Sequence, residues 1–197
     1  MIAVVESGTA NLASVTAALE RLGAKAEITS EPARVRSAER VILPGVGAAA
    51  PAMRRLREKN LVDVLRALEQ PVLGICLGMQ LLFTRSEEGG ATACLDLISG
   101  TVQPLEAAPD RPVPHMGWNA LKIEKRDHPL LRRVADETFV YFVHGFAAPA
   151  GKHTLASCEY GVRFAAMAAE KNFFGCQFHP ERSGEAGNRI LANFLEM

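Results

Sequence analysis

The stretch Gln70-Pro71-Val72-Leu73-Gly74-Ile75-Cys76-Leu77-Gly78-Met79-Gln80-Leu81-Leu82-Phe83 organises the rest of the chain. Val72, Leu73 and Ile75 make a short apolar run with the composition of a strand buried on both faces. Met79, Leu82 and Phe83 follow at helical spacing, so the backbone has to turn from strand to helix around Cys76. Gly74 and Gly78 stand two residues to either side of the cysteine, the spacing of a nucleophile elbow with sulfur in place of a serine oxygen. Such a turn demands backbone angles and close packing that glycine tolerates, and it lifts the central side chain above the sheet edge. A thiol there also meets a helix N-terminus, whose unpaired N–H groups and dipole favour thiolate over thiol. The same residues equally fit a buried structural cysteine beside two turn glycines, because free cysteine is among the most buried residue types. A nucleophile needs a base, which has to come from elsewhere in the chain.

At 197 residues the chain suits one domain, residues 1–197, able to bury roughly 70% of its unfolded surface. Lys plus Arg and Asp plus Glu balance at 22 each, so the overall charge points to neither nucleic acid nor an anionic membrane as partner. The start, Ile2-Ala3-Val4-Val5, reads as a strand without a basic leader or long apolar segment, and no stretch approaches the ~20 apolar residues of a membrane span. Cys76, Cys94, Cys158 and Cys176 form no C-x-x-C pair, which argues against zinc and fits a reducing, cytoplasmic setting.

Strand-like Ile2 to Val5, Ala24 to Thr29 and Arg40 to Leu43 alternate with a helical pattern on Leu12, Val15, Ala18, Leu19 and Leu22, and with a short connection or helix from Pro32 to Glu39. This alternation predicts a mostly parallel central sheet flanked by helices, an α/β fold. A helical segment holding Met53 and Leu56 continues past Asn60 to Leu68. From Gly100 onward, short strands are predicted at Gly100 to Pro104, Ala120 to Glu124, Thr138 to Val143, His153 to Cys158, Arg163 to Ala169 and Asn172 to Phe178, an antiparallel or mixed extension of the same domain. Pro114-His115-Met116-Gly117-Trp118-Asn119 reads as a loop whose tryptophan is either core or a partner-facing anchor. A helix from Gly184 to Met197 closes the chain.

Two further segments bear on chemistry. Pro44-Gly45-Val46-Gly47 follows a strand end, and glycines flanking one residue let a peptide rotate to present its N–H to an oxyanion. His179, in Gln177-Phe178-His179-Pro180-Glu181, lies at a strand end with a carboxylate two residues on, as a thiol's base and its orienting acid require. His144 ends the run Tyr141-Phe142-Val143 without a nearby acid, as a core or site-wall histidine.

Together these residues resemble the class I (triad) glutamine amidotransferases, a flavodoxin-like fold family, and over nearly the whole length the glutaminase subunits of imidazole glycerol phosphate synthases. The shared motifs are Gly74-x-Cys76-x-Gly78-x-Gln80, Pro44-Gly45-Val46-Gly47 and His179-Pro180-Glu181. The narrower ones are Pro114 to Asn119, Tyr141 to His144 and Ser183-Gly184. The resemblance implies glutamine hydrolysis by Cys76, His179 and Glu181 through a γ-glutamyl thioester, with oxyanion donors at Val46 or Gly47 and Leu77. It also implies glutamine contacts from Gly45, Gln80, Glu88, His144 and Gly145, with no metal and no cofactor. The implied partner is a (β/α)8 barrel cyclase subunit in a heterodimer, receiving ammonia to make imidazole glycerol phosphate and aminoimidazole carboxamide ribotide for histidine biosynthesis. Asn11, Trp118, Tyr141 and Arg182 match interface or gate positions. Gly145-Phe146 replaces the family's Ser/Thr-Tyr, and Arg182 stands where lysine is common, a change that keeps charge but alters geometry.

Three other readings compete. The same chemistry could serve another synthase, such as that of pyridoxal phosphate, against which the Pro114 to Asn119 segment speaks. A free-standing γ-glutamyl cysteine hydrolase and a non-catalytic docking module are the others; the intact triad speaks against the latter.

Overall fold

The computed structural model describes residues 1–6 and 12–197. The first half runs β1 (Ile2–Val5), α1 (Leu12–Arg21), β2 (Ala26–Thr29), α2 (Pro32–Ser37), β3 (Arg40–Gly45), α3 (Ala49–Glu58), α4 (Val62–Arg66), β4 (Val72–Cys76) and α5 (Leu77–Leu82). Then come β5 (Phe83–Ser86), β6 (Thr92–Ala93), β7 (Ile98–Pro104), β8 (His115–Ala120), β9 (Lys122–Ile123), β10 (Phe139–His144) and β11 (Phe146–Ala147). The last elements are β12 (Thr154–Tyr160), β13 (Val162–Glu170), β14 (Phe173–Cys176), a 3-10 turn at Pro180–Arg182, and α6 (Gly184–Leu195).

Among the described residues the central sheet has eight strands in the order β2-β1-β3-β4-β14-β13-β12-β9. Its first five are parallel and the remaining three antiparallel. A four-stranded sheet, β11-β7-β5-β6, and the β8–β10 pair complete the mixed part.

The inner parallel strands β1, β3 and β4 are almost wholly apolar because both faces are covered, whereas the edge strand β2 carries Glu27 and leaves Ile28 exposed. Ile2, Val4, Ile42, Leu73 and Ile75 enter one core, where α1 (Val15, Ala18, Leu19) and α6 (Ile190, Leu191, Phe194) pack. Ala3, Val5, Val41, Leu43 and Val72 enter the other, beneath Met53 and Leu56 of α3 and Leu77 and Met79 of α5. Successive residues of a strand face opposite ways, so one short run feeds two cores, and each large apolar side chain fully buried contributes about 1.5–3 kcal/mol.

Several local expectations change, among them the helix through Asn60, which breaks into α3 and α4 where Asn60 takes φ 55°, and the strand to Phe178, which ends at Cys176. The helix after Cys76 stops at Leu82, and Phe83 instead opens β5, which pairs with β6 and β7. Phe83 still reaches the core, so the periodicity that suggested a longer helix reflects burial and not conformation. Pro114 to Asn119 is a loop only at its start: His115–Ala120 is β8, antiparallel to β10, a pairing between distant segments invisible to local patterning. The strand expected over Ala120 to Glu124 divides between the end of β8 and the short β9.

Candidate active site

Strand register assembles the site from three distant segments. In the β3–β4 pair Gly45 lies opposite Cys76, which sets Val46 and Gly47 beside the cysteine. In the β14–β4 pair Cys176 lies opposite Ile75, so the chain leaving β14 delivers Gln177 and His179 to the same edge.

Cys76 has φ 54° and ψ −112°, a conformation unusual for a residue with a side chain and costing of order 1–3 kcal/mol. Its flanking glycines make that turn possible: a Cβ on Gly78 would lie 1.7 Å from the Leu43 carbonyl oxygen, and one on Gly74 2.6 Å from that of Gly78. The helix therefore seats directly on the sheet at the turn, as the elbow spacing predicted.

His179 Nδ1 lies 2.8 Å from Glu181 Oε1, and the two side chains are only 8% and 2% exposed. That leaves Nε2 as the nitrogen free to serve Cys76, which lines the same cavity. Nε2 is buried, and among the described residues no group reaches it at good hydrogen-bonding geometry, yet the Cys76 sulfur is close enough to act on the charge of the ring. Burial by itself lowers the His179 pKa, but the Cys76 sulfur, as acceptor and anion, and the Glu181 carboxylate outweigh it and raise the pKa to about 10. Cys76 Sγ also has the Val143 carbonyl at 3.8 Å and Gln177 Nε2 at 3.9 Å. The other thiols lack such company. Burial pushes Cys94 up to about 11 and Cys158 to about 12, and raises Cys176 further still, which keeps them protonated and unreactive.

A cavity of about 260 Å³ opens over the sulfur, lined by Val46, Gly47, Cys76, Leu77, Gln80, Glu88, Val143, His144, Gly145, Phe146 and His179. It thus gathers the thiol, the imidazole, the two backbone segments offered as oxyanion donors and four of the five residues matched to glutamine contacts. Gly45 is the exception. It lines a space of about 10 Å³ beside His179 and Glu181. Glu88 accepts the Ala49 N–H at 2.9 Å, which satisfies an orphan donor at the start of α3 and holds the carboxylate in place at the cavity.

Comparison with known proteins agrees with this geometry. The class-I glutamine amidotransferase family model matches residues 3–197. "Imidazole glycerol phosphate synthase subunit HisH" of Idiomarina loihiensis is 51% identical over 196 residues, covering 100% of this chain and 97% of that one. The subunit of the same name from Vibrio cholerae is 46% identical over 201 residues, covering 100% and 98%. The chain belongs to the class-I glutamine amidotransferases, among the HisH subunits. A solved structure described as a glutamine amidotransferase shares the fold at TM-score 0.76 and 18% identity, covering 100% of this chain and 98% of that one. "Structure of PurLQS from Thermotoga maritima" matches at TM-score 0.73 and 20% identity, covering 99% and 97%.

The positions matched to an amidotransferase interface gather on one side of the triad, apart from Asn11, which lies outside the described residues. Register puts Trp118 opposite Tyr141, their rings edge to face at 6.1 Å, with Met116 and Phe139 on the same strand faces. Met116, Trp118 and Phe139 are 64%, 54% and 59% exposed, so the tryptophan is not core. The Tyr141 carbonyl accepts the His179 N–H at 3.0 Å, tying this surface to the segment that carries His179, and exposed Arg182 follows Glu181. A groove of about 860 Å³ runs beneath Trp118 and Phe139 to Ser183, Glu185 and Arg189, and contains none of the triad.

Sequence reasoning missed Gln177 and the Phe146 carbonyl. Gln80 Nε2 donates to Phe146 O at 2.8 Å and to Gln177 Oε1 at 3.0 Å, and Gln177 Nε2 approaches the Cys76 sulfur. Gln177 lies two residues before His179, just past the end of β14 at Cys176, and that closeness in sequence was the available clue. Because the Phe146 contact is through backbone, replacement of the family's tyrosine there leaves it intact. At Gly145 a Cβ would meet only Val113 Cγ1 at 3.5 Å, so the missing hydroxyl was not excluded by space. Among the described residues no helix is long and apolar enough to cross a membrane.

Proposed function

We propose that Cys76, His179 and Glu181 perform the glutamine hydrolysis that membership of this family entails. The observation that carries the reading is the strained, glycine-seated Cys76 facing His179 across a cavity sized for an amino acid, with Glu181 held 2.8 Å behind the imidazole. The sulfur attacks the side-chain carbonyl carbon, and the oxyanion that forms takes N–H bonds from Val46 or Gly47 and from Leu77. Each such donor is worth about 3–4 kcal/mol of barrier. His179 gives its proton to the leaving nitrogen and ammonia departs. Water, deprotonated by His179, then cleaves the γ-glutamyl thioester to glutamate and free thiol. Gln80 has both amide hydrogens committed to protein, so its oxygen meets the substrate's α-ammonium, while Gly45, Glu88, His144 and Gly145 complete the glutamine contacts.

The ammonia passes to a (β/α)8 barrel cyclase subunit, docked on the face carrying Trp118, Tyr141 and Arg182, for imidazole glycerol phosphate synthesis in the cytoplasm; Asn11 belongs with them by family likeness alone. No metal or cofactor takes part. The test is glutamate release with and without the synthase partner. Cys76→Ala is expected to abolish glutamine use by at least ~1,000-fold while ammonia-dependent synthesis by the complex persists. Loss of both activities would contradict the division of labour.

A further inference from the structure

We infer that His115, outside the cavity on β8, is a positioning residue for the glutamine site: its hydrogen bond to His144 fixes the wall at residues 143–146 and, through Phe146 O, Gln80. This rests on the glutaminase reading above.

The two imidazoles stand in line. His115 Nδ1 is 3.1 Å from His144 Nε2, and His144 Nδ1 is 2.9 Å from Phe146 O. A carbonyl only accepts, so the proton of that bond sits on His144 Nδ1. In a neutral ring His144 Nε2 is then bare and must accept, which requires the proton of His115 to sit on Nδ1. His115 Nε2 is left as an acceptor, with Asn119 Nδ2 at 3.4 Å. One carbonyl at the end of the row thereby assigns all four ring nitrogens. Both rings are buried, at 3% and 5% exposure, and burial pushes the pKa of each down to about 4, so both are neutral at pH 7.

His115 is also prevented from turning away. Tyr160 stacks on one ring contact at 3.9 Å and Phe142 at 4.8 Å, and the Tyr160 hydroxyl is itself anchored on the Pro112 carbonyl at 2.7 Å. Downstream, Phe146 O receives both His144 and Gln80, so a tilt of His144 moves the acceptor that orients Gln80. His115 thus acts at one remove from the substrate, with no contact to the reacting atoms.

Two variants and one spectrum test this. His115→Phe keeps the aromatic stack and removes the donor; His115→Asn places an amide N–H where Nδ1 was. In the complex with the synthase partner, His115→Phe is expected to raise KM for glutamine about 10-fold with kcat within about 2-fold, and His115→Asn to return KM to within about 3-fold of wild type. In wild-type protein with ¹⁵N-labelled histidine, long-range ¹H–¹⁵N spectra should show His115 and His144 both as neutral Nδ1–H tautomers. Wild-type KM in His115→Phe, or an Nε2–H tautomer at either ring, would overturn the inference while leaving the glutaminase reading intact. Absence of glutamate release by the wild-type complex would instead overturn that reading, and the inference with it. Should His115→Phe not fold, the wild-type tautomers and the KM of His115→Asn decide.

Discussion

Ser99 Oγ lies 2.8 Å from His153 Nε2, and His153 Nδ1 lies 2.8 Å from Glu170 Oε2, the same order of nucleophile atom, imidazole and carboxylate as Cys76, His179 and Glu181. The second trio joins β7 to the turn before β12 and to the end of β13, away from the C-terminal edge of the parallel strands. Ser99 is exposed and has none of the positive-φ strain of Cys76. Glu170 is 39% exposed where Glu181 is 2%. The adjoining cavity is about 100 Å³, less than half of that over Cys76, and the neighbouring Gly100 N–H is already engaged by Thr84 Oγ1 at 3.4 Å. Hydrogen-bond order alone is therefore a cheap feature. A nucleophile emerges where the backbone is forced to present it, water is displaced from its partners and there is room for a substrate.

The largest expected contrast is between the two acids. Glu181→Gln should lower kcat about 100- to 10,000-fold, because His179 loses the carboxylate that orients its ring and stabilises its charged form, whereas Glu170→Gln should leave glutamate release within about 2-fold. Equal losses in the two variants would erase the distinction between the trios. Next comes the elbow: Gly78→Ala should cost at least ~3 kcal/mol in chemical denaturation and remove activity, since its Cβ cannot coexist with the Leu43 carbonyl.

A smaller effect concerns pH. His179 holds its proton up to about 10 against an ordinary 6.5, so the stabilisation it provides is complete below about 6.5 and is lost as pH rises from there through about 10. His115 and His144, lowered to about 4, give the opposite sign: their contribution is present above about 6.5 and lost as pH falls from 6.5 through 4. Thermal melts across pH should show both declines, and Glu181→Gln should flatten only the alkaline one. The smallest effect is Ser99→Ala, expected to cost about 0.5–1.5 kcal/mol of stability with unchanged glutaminase kinetics. A greater than 10-fold fall in kcat would show that the surface trio contributes to the reaction after all.

Some of this was legible without coordinates. The elbow at Cys76, the His179 and Glu181 pair and the Gly45 to Gly47 turn depend on short spacings, and short spacings are what a sequence displays. Pro114 to Asn119 was recognisable as a motif but not as a strand, because β8 exists only by pairing with β10. Glu88 stood out by family likeness, yet its hold on the start of α3 comes from a contact between residues far apart in the chain.

The chain by itself determined which chemical groups are available, where the backbone must bend to display sulfur, and that its apolar runs are strands covered on both faces. Those are local consequences of steric freedom and side-chain period. Only the tertiary structure decided that β14 would slot beside β4 and bring His179 to Cys76, that Gln177 and the Phe146 carbonyl would stand behind Gln80, and that two histidines on separate strands would share a proton row. Such contacts are fixed by strand register and by the burial of two cores at once, and both are properties of the whole fold rather than of any segment.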